Sequence, residues 1–366
     1  MDVNNAHSGD FGAALRAVRS GHEFSHSDVK RLLSVTEPSE TELLFSAARA
    51  ARSKHFGRRV FLYGFVYFST HCRNECTFCL YRRSNVGKPR YRKTTKEAVE
   101  IATRLVDSGV HLVDLTMGED PLMYEKGRFE PLIDMVEAIR RETDRPVMVS
   151  PGVVGRRVLR QLRDAGADWY ACYQETHNRC LYRRLRSGQD YDCRADSRLH
   201  AMGLGMLAED GVLIGAGESL ADRATSVMEM RREGVQQVRA MGFVPQPGTP
   251  LGRHPQPSPM DELITLAVLR LVMPDRLIPA SLDVEGLDGL VSRLQAGANV
   301  ITSIIPPHAG LAGVSNSELD IDGGGRTAAA VEDKVTELGL GVASQVEYQS
   351  WLHRSTENAL NEAKSS

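Results

Sequence analysis

Eight apolar, β-branched or aromatic runs alternate with amphipathic segments along most of the chain, and this alternation constrains the fold more than any other feature. The runs are Val60–Ser69, His111–Met117, Val147–Ser150, Trp169–Glu175, Gly211–Gly215, Gln237–Val244, Leu277–Asp283 and Asn299–Ile305. Between them lie helical patterns over Lys96–Ser108, Phe129–Arg141, Arg156–Ala165, Arg194–Glu209, Ala221–Glu233, Pro259–Val272 and Leu287–Ala296. Strand, helix, strand in repetition calls for parallel strands joined by crossovers. Eight such units close most naturally into an α/β fold of the (β/α)8 TIM-type barrel class, with packed strands inside a ring of helices. A doubly wound open sheet is the other architecture this rhythm allows. Helical patterns over Asp28–Leu33 and Glu40–Arg52 come before the first run. The expected organisation is therefore an N-terminal helical extension over 1–55, a barrel over 56–350 and a C-terminal tail over 351–366.

The 45 Lys and Arg residues nearly balance 47 Asp and Glu, so there is no global basic field and no nucleic-acid partner is expected. The longest uncharged stretch, Leu294 to Ser317, is broken by Gln295, Asn299, Pro306, Pro307 and His308 and predicts strand and loop, with no bilayer span. The opening Met1-Asp2-Val3-Asn4-Asn5 has no basic and apolar leader pattern, which predicts a cytoplasmic protein. Six cysteines are too few for a disulfide scaffold in a chain of 366 residues.

Barrel enzymes build their sites at the C-terminal ends of the strands. Here those ends carry polar groups: Asp114 and Met117-Gly118-Glu119-Asp120 on the second run, Ser150 on the third, Tyr173-Gln174-Glu175 on the fourth, Arg239 on the sixth, and Ser281-Leu282-Asp283 on the seventh. A buried charge needs a partner. These residues therefore predict either a polar ligand or ion pairs across the barrel mouth.

Immediately after the first run stands Cys72-Arg73-Asn74-Glu75-Cys76-Thr77-Phe78-Cys79, a C-x3-C-x2-C triplet in a loop. Structural zinc takes four protein ligands, usually as two pairs, and no second Cys/His pair is evident. Ferredoxin-type clusters also take four cysteines. Three thiolates would leave one iron of a [4Fe-4S] cluster open; a degenerate zinc or non-catalytic cluster scaffold is the competing reading. Cys172, Cys180 and Cys193 show no such grouping, and Cys172 reads as a small buried side chain. The basic run Arg82, Arg83, Lys88, Arg90, Arg92 and Lys93 reads as a solvated loop covering the cluster.

The triplet, with the aromatic Phe78 before its last cysteine, resembles the radical S-adenosylmethionine superfamily. More specifically, Phe61 to Thr70, Val113 to Pro121, Tyr173-Gln174-Glu175-Thr176, Gln246 to Leu251 and Ile278 to Asp283 resemble the methylornithine synthases of pyrrolysine biosynthesis. The likeness extends over roughly Gly21 to Trp351. That family is grouped with biotin synthase and the hydrogenase-maturation enzymes, all complete barrels. The resemblance implies a [4Fe-4S] cluster on Cys72, Cys76 and Cys79, with S-adenosyl-L-methionine chelated at the open iron. It places the cofactor against Phe78, Met117, Gly118, Glu119, Glu175, Arg186 and Arg194. Met117-Gly118-Glu119 departs from the family's usual Gly-Gly-Glu. For substrate it implies Asp114, Arg239, Ser281 and Asp283 around L-lysine, isomerised to (3R)-3-methyl-D-ornithine by hydrogen abstraction, fragmentation and recombination. It also implies an electron donor such as flavodoxin or ferredoxin. Sulfur insertion would need further strand-end cysteines, where this chain has Asp114 and Ser150.

Overall fold

In the computed structural model, which describes residues 11–12, 15, 24–125, 127–315 and 325–365, the eight runs form parallel strands. They are β1 (Arg59–Ser69), β2 (Leu112–Met117), β3 (Val147–Ser150), β4 (Ala167–Ala171), β5 (Leu207–Ile214), β6 (Gln237–Gly242), β7 (Pro279–Ser281) and β8 (Val300–Ile304). Their order in the sheet is β6-β5-β4-β3-β2-β1-β8-β7. The ring closes through a single parallel bridge, Gln237 to Leu277, supported by Val238 N donating to Leu277 O at 3.0 Å. This is a nearly closed eight-stranded barrel ringed by helices, as the alternation predicts. A two-residue strand, β9 (Gly341–Val342), pairs with the start of β1.

β1 is buried along all but its first residue, as expected of a strand covered on both faces. Gly64 is part of the reason the helix Thr95–Asp107 can lie on it: a Cβ there would come within 2.8 Å of Leu105 Cδ1. That helix starts with a capping box in which Glu97 N donates to Thr94 Oγ1 at 3.3 Å and Thr94 N donates to Glu97 Oε2 at 2.7 Å.

The strands' N-terminal ends are sealed by an aromatic plug. Phe61, Tyr63, Met148 and Trp169 pack with Tyr348 and Trp351, the two tryptophan rings stacked 5.9 Å apart. The hydroxyls of Tyr63 and Tyr348 share a hydrogen bond of 2.9 Å. Tyr348 and Trp351 belong to the helix Gln345–Ser365, which runs through the expected 350/351 boundary, because its apolar face covers the barrel floor. At the other end of the chain, the helix Pro38–Phe56 is joined to the barrel by Arg52, whose Nη1 donates to Leu294 O at 2.5 Å and Ala298 O at 3.2 Å. With the floor closed by side chains, the opposite, C-terminal end is where a ligand can enter. Among the described residues no helix is long and apolar enough to cross a membrane.

The main departure from the sequence reading is at β5. The pattern from Arg194 to Glu209 reads as one helix, but the helix Tyr191–Gly203 stops earlier and β5 starts at Leu207. Gly205, at φ 84°, makes the turn between them. Glu209, which reads as the helix end, and Asp210, which reads as the break before the strand, are in fact buried strand residues.

Candidate active site

Every residue that the resemblance assigns to cluster, cofactor or substrate opens onto one cavity of about 280 Å³ at the C-terminal ends of the strands. Cys72, Cys76, Phe78 and Cys79 come from the loop after β1, and Asp114, Met117, Gly118 and Glu119 from β2 and its end. Glu175, Arg186 and Arg194 come from the segments after β4, Arg239 from β6, and Ser281 and Asp283 from β7 and its end.

On the cysteine side, the arginines and carboxylates form one network. Arg186 Nη2 donates to Glu175 Oε1 at 2.5 Å, and Arg194 Nη2 donates to Glu119 Oε1 at 3.4 Å. The other oxygen of Glu119 accepts from Arg73 Nε at 3.0 Å. Gln189 joins the two arginines, its Oε1 accepting from Arg194 at 2.8 Å and Arg186 at 3.3 Å, while its Nε2 donates to Cys76 Sγ at 3.0 Å. Arg186 lies over the Phe78 ring, 5.6 Å from its centroid. Burial pushes the Glu175 carboxyl up from its ordinary range, against the pull of Arg186 and Arg194. Its backbone sits at φ 66°, uncommon for a residue with a side chain and typical of functional sites.

The donor set of the loop fits an iron–sulfur cluster. Burial pushes Cys72 up to about 11 and Cys79 higher still, so these thiols call for a cationic core to ionise them. The loop lies directly on the end of β2: a Cβ at Gly118 would stand 2.4 Å from His71 O and 3.0 Å from Cys72 Cβ. Glycine is the residue this approach admits. The basic run beside the loop is partly solvated, as read, with Arg83 and Arg92 exposed, but Arg90 within it is structural. Arg90 donates to the carbonyls of Thr70, Tyr81, Arg82 and Asn85. Arg82 and Arg83 pair with Glu75, and Arg92 with Asp120.

Across the cavity the groups are arranged differently. Arg239 donates through Nε to Glu209 Oε1 at 2.8 Å and through Nη1 to Thr302 Oγ1 at 3.4 Å. Burial works against its charge, and the Glu209 carboxylate more than restores it. Asp114 accepts from Thr116 Oγ1 at 2.8 Å and Ser150 Oγ at 3.4 Å. Burial, then the charge of Glu209, raises its carboxyl to about 7. Asp283 accepts from Ser315 N at 2.7 Å and, at 3.5 Å, from Arg326 Nη2. Ser281 and Ser303 are in hydroxyl contact at 3.2 Å.

Glu209, Gln189, Ser303 and Cys172 belong to this site or brace it, and the sequence reading missed them. Cys172 lines the cavity, its sulfur accepting from Arg194 Nη1 at 3.1 Å. The one signal available was the pair Glu209-Asp210 directly before an apolar run, where a strand's first charged residues can be mistaken for the end of a helix. Cys180 and Cys193 are exposed on helices away from the cavity.

Comparison with known proteins agrees with this geometry. Residues 66–228 match the family model described as the radical SAM superfamily. The chain is 42% identical to the 3-methylornithine synthase of Methanosarcina barkeri, over 94% of this chain and 97% of that protein. Against the 3-methylornithine synthase of Methanosarcina acetivorans it is 41% identical, over 91% and 94%. A crystal structure of methylornithine synthase superposes with a TM-score of 0.86 at 40% identity, covering 92% of this chain and 99% of that one. With identity at this level along nearly the whole length, the chain belongs to the methylornithine synthase family of radical S-adenosylmethionine enzymes, which carry a [4Fe-4S] cluster and S-adenosylmethionine.

Proposed function

We propose that this cavity isomerises L-lysine to (3R)-3-methyl-D-ornithine. The observation that carries the reading is the charge pattern of the wall facing away from the cysteines: Arg239 with the carboxyls of Asp114 and Asp283 and the hydroxyl of Ser281, beside an Arg293 whose donors are already spent on Glu262 and Glu285. A diamino acid presents one carboxylate and two ammonium groups, and this set complements it. A planar guanidinium holds a carboxylate by paired hydrogen bonds, and the two aspartates suit the ammonium groups.

Cys72, Cys76 and Cys79 would hold the cluster, and Phe78, Met117, Gly118, Glu119, Glu175, Arg186 and Arg194 would surround S-adenosylmethionine. When bound, this pair supplies a 5′-deoxyadenosyl radical that abstracts hydrogen from the substrate. The chain's own residues decide which hydrogen is nearest. Glu175 and Glu119 offer carboxylates to an ammonium group of the cofactor, while Arg186 and Arg194 offer guanidiniums to its carboxylate. Burial strengthens each of these interactions by excluding water. Six unpaired cysteines fit a reducing, cytoplasmic setting, where a flavodoxin or ferredoxin would supply the electron.

The test is whether substrate orientation controls coupling. Arg239→Lys keeps the charge but loses the fork, and a displacement of about 1 Å can cost on the order of 100-fold in rate. Arg239→Lys and Asp283→Asn should therefore still form 5′-deoxyadenosine while yielding much less methylornithine per cofactor cleaved. Unchanged ratios and rates in both variants would contradict the substrate assignment.

A further inference from the structure

Two guanidiniums line the substrate side of the cavity, Arg293, which is closed onto Glu262 and Glu285, and Arg239, and what holds Arg239 has consequences for selectivity. Glu209 is completely buried and does not line the cavity, whereas Arg239 does. Its two oxygens are both engaged: Oε1 accepts from Arg239 Nε at 2.8 Å and Oε2 from Tyr173 OH at 3.0 Å. The Tyr173 ring also faces the guanidinium, with its centroid 5.6 Å from Arg239 Cζ. Gly211, opposite Arg239 in the β5–β6 register, leaves room for this stack; a Cβ there would meet Tyr173 Cδ1 at 3.1 Å and Arg239 Cβ at 3.3 Å.

Binding Nε from behind leaves the terminal Nη pair for the cavity. Nη1 makes one long contact, 3.4 Å to Thr302, and Nη2 has no partner among the described residues. Arg239 and Asp114 share the cavity wall and feel each other's charge, so without Glu209 the guanidinium would be left to Asp114. That pairing would use up a cation and an anion that the substrate needs.

We infer that Glu209 is a positioning residue that turns Arg239 into a carboxylate receptor, and that through it the cavity separates an α-amino acid from the corresponding plain amine. The inference rests on the reading that lysine occupies this cavity. Glu209 acts only through Arg239. Its loss should therefore weaken ligands bearing a carboxylate and spare those without one.

The test uses anaerobic holoenzyme, with cluster and S-adenosylmethionine bound, and two probes: L-lysine and cadaverine, the same chain without its carboxylate. Wild-type protein should bind lysine more tightly than cadaverine. Glu209→Gln should weaken lysine by about 10-fold or more, as expected for disturbing a charge-assisted contact, and leave cadaverine nearly unchanged. Because a buried arginine left unpaired can unfold the protein, Arg239→Met and the double variant Glu209→Gln/Arg239→Met complete a cycle. The two should bind lysine equally, since Glu209 has nothing to act on once Arg239 is gone. Equal loss of lysine and cadaverine in Glu209→Gln, or a further loss of lysine in the double variant, would overturn the positioning role. Wild-type enzyme that binds lysine beside a Glu209→Gln variant that binds it equally well would overturn this inference alone. Wild-type enzyme that does not bind lysine would overturn the lysine reading and this inference with it.

Discussion

Two buried charge networks lie side by side in this barrel, and only one opens onto the cavity. The first joins Glu119, Arg194, Gln189, Arg186 and Glu175, and its four charged members all line the cavity. The second joins His177, Arg198, Asp210 and Glu233, none of which does. They interleave in the sequence: the helix Tyr191–Gly203 sends Arg194 to the first and, one turn later on the same face, Arg198 to the second. Arg198 spends its donors inside the protein, on both oxygens of Glu233, on Cys172 O at 2.8 Å and on Gln174 Oε1 at 3.0 Å. Asp210 Oδ1 in turn accepts from Gln174 N at 2.7 Å. The closed network thus fixes the backbone just before Glu175, and the open one presents charge to a ligand. Burial and pairing alone do not separate these two networks; access to the cavity does.

The contrast is tested most severely at the cluster end of the open network. Cys76→Ala removes one of the three thiols proposed to hold the cluster and the sulfur that Arg186 and Gln189 contact, and should reduce cluster content and S-adenosylmethionine cleavage to background. Iron analysis and 5′-deoxyadenosine release measure both. Cys180→Ala and Cys193→Ala should leave them intact. In the closed network, Arg198→Met strands two buried carboxylates and should cost about 3–5 kcal/mol in urea unfolding. A variant as stable as wild type would show that the network is not architectural.

Glu175→Gln, on the open side, should show the reverse pattern. Cofactor affinity should fall by an amount corresponding to about 1.5–3 kcal/mol, with a smaller loss of stability than in Arg198→Met, because Gln keeps an oxygen that accepts from Arg186 Nη2. Titration with S-adenosylmethionine checks this; unchanged cofactor affinity beside weakened lysine affinity would reverse its assignment. The effect at Asp114 is graded with pH and levels off near neutrality. Its carboxyl, at about 7 when folded against an ordinary 3.8, is protonated in the folded state and ionised in the unfolded state between those values. Folding takes up a proton there, so its contribution to stability declines as pH rises from 3.8 to 7 and is level above. An ammonium ligand prefers the ionised form, so lysine affinity should rise up to about tenfold per pH unit on approaching 7 from below. Asp114→Asn should flatten that profile in binding measurements across the range.

What was legible in the sequence follows the same division. The strands were readable because burial on both faces leaves near-continuous apolar runs, and the cluster loop because its spacing is local. The strand-end groups Asp114, Glu175, Arg239 and Asp283 stood out because polar residues ending apolar runs are conspicuous. Glu209 and Asp210 were not legible, since their partners Arg239 and Arg198 lie about 30 and 12 residues away and only the folded barrel brings them together. Arg90 was misread for a related reason: a basic run looks solvated until its donors are found on four backbone carbonyls.

The most direct test of the central claim is anaerobic turnover of uniformly carbon-labelled L-lysine by reconstituted enzyme with S-adenosylmethionine and a reductant, read by mass spectrometry and NMR. The expected product is an isomer of unchanged mass whose labelled carbon skeleton has become branched. Lysine recovered unrearranged while S-adenosylmethionine is cleaved in its presence would contradict that claim.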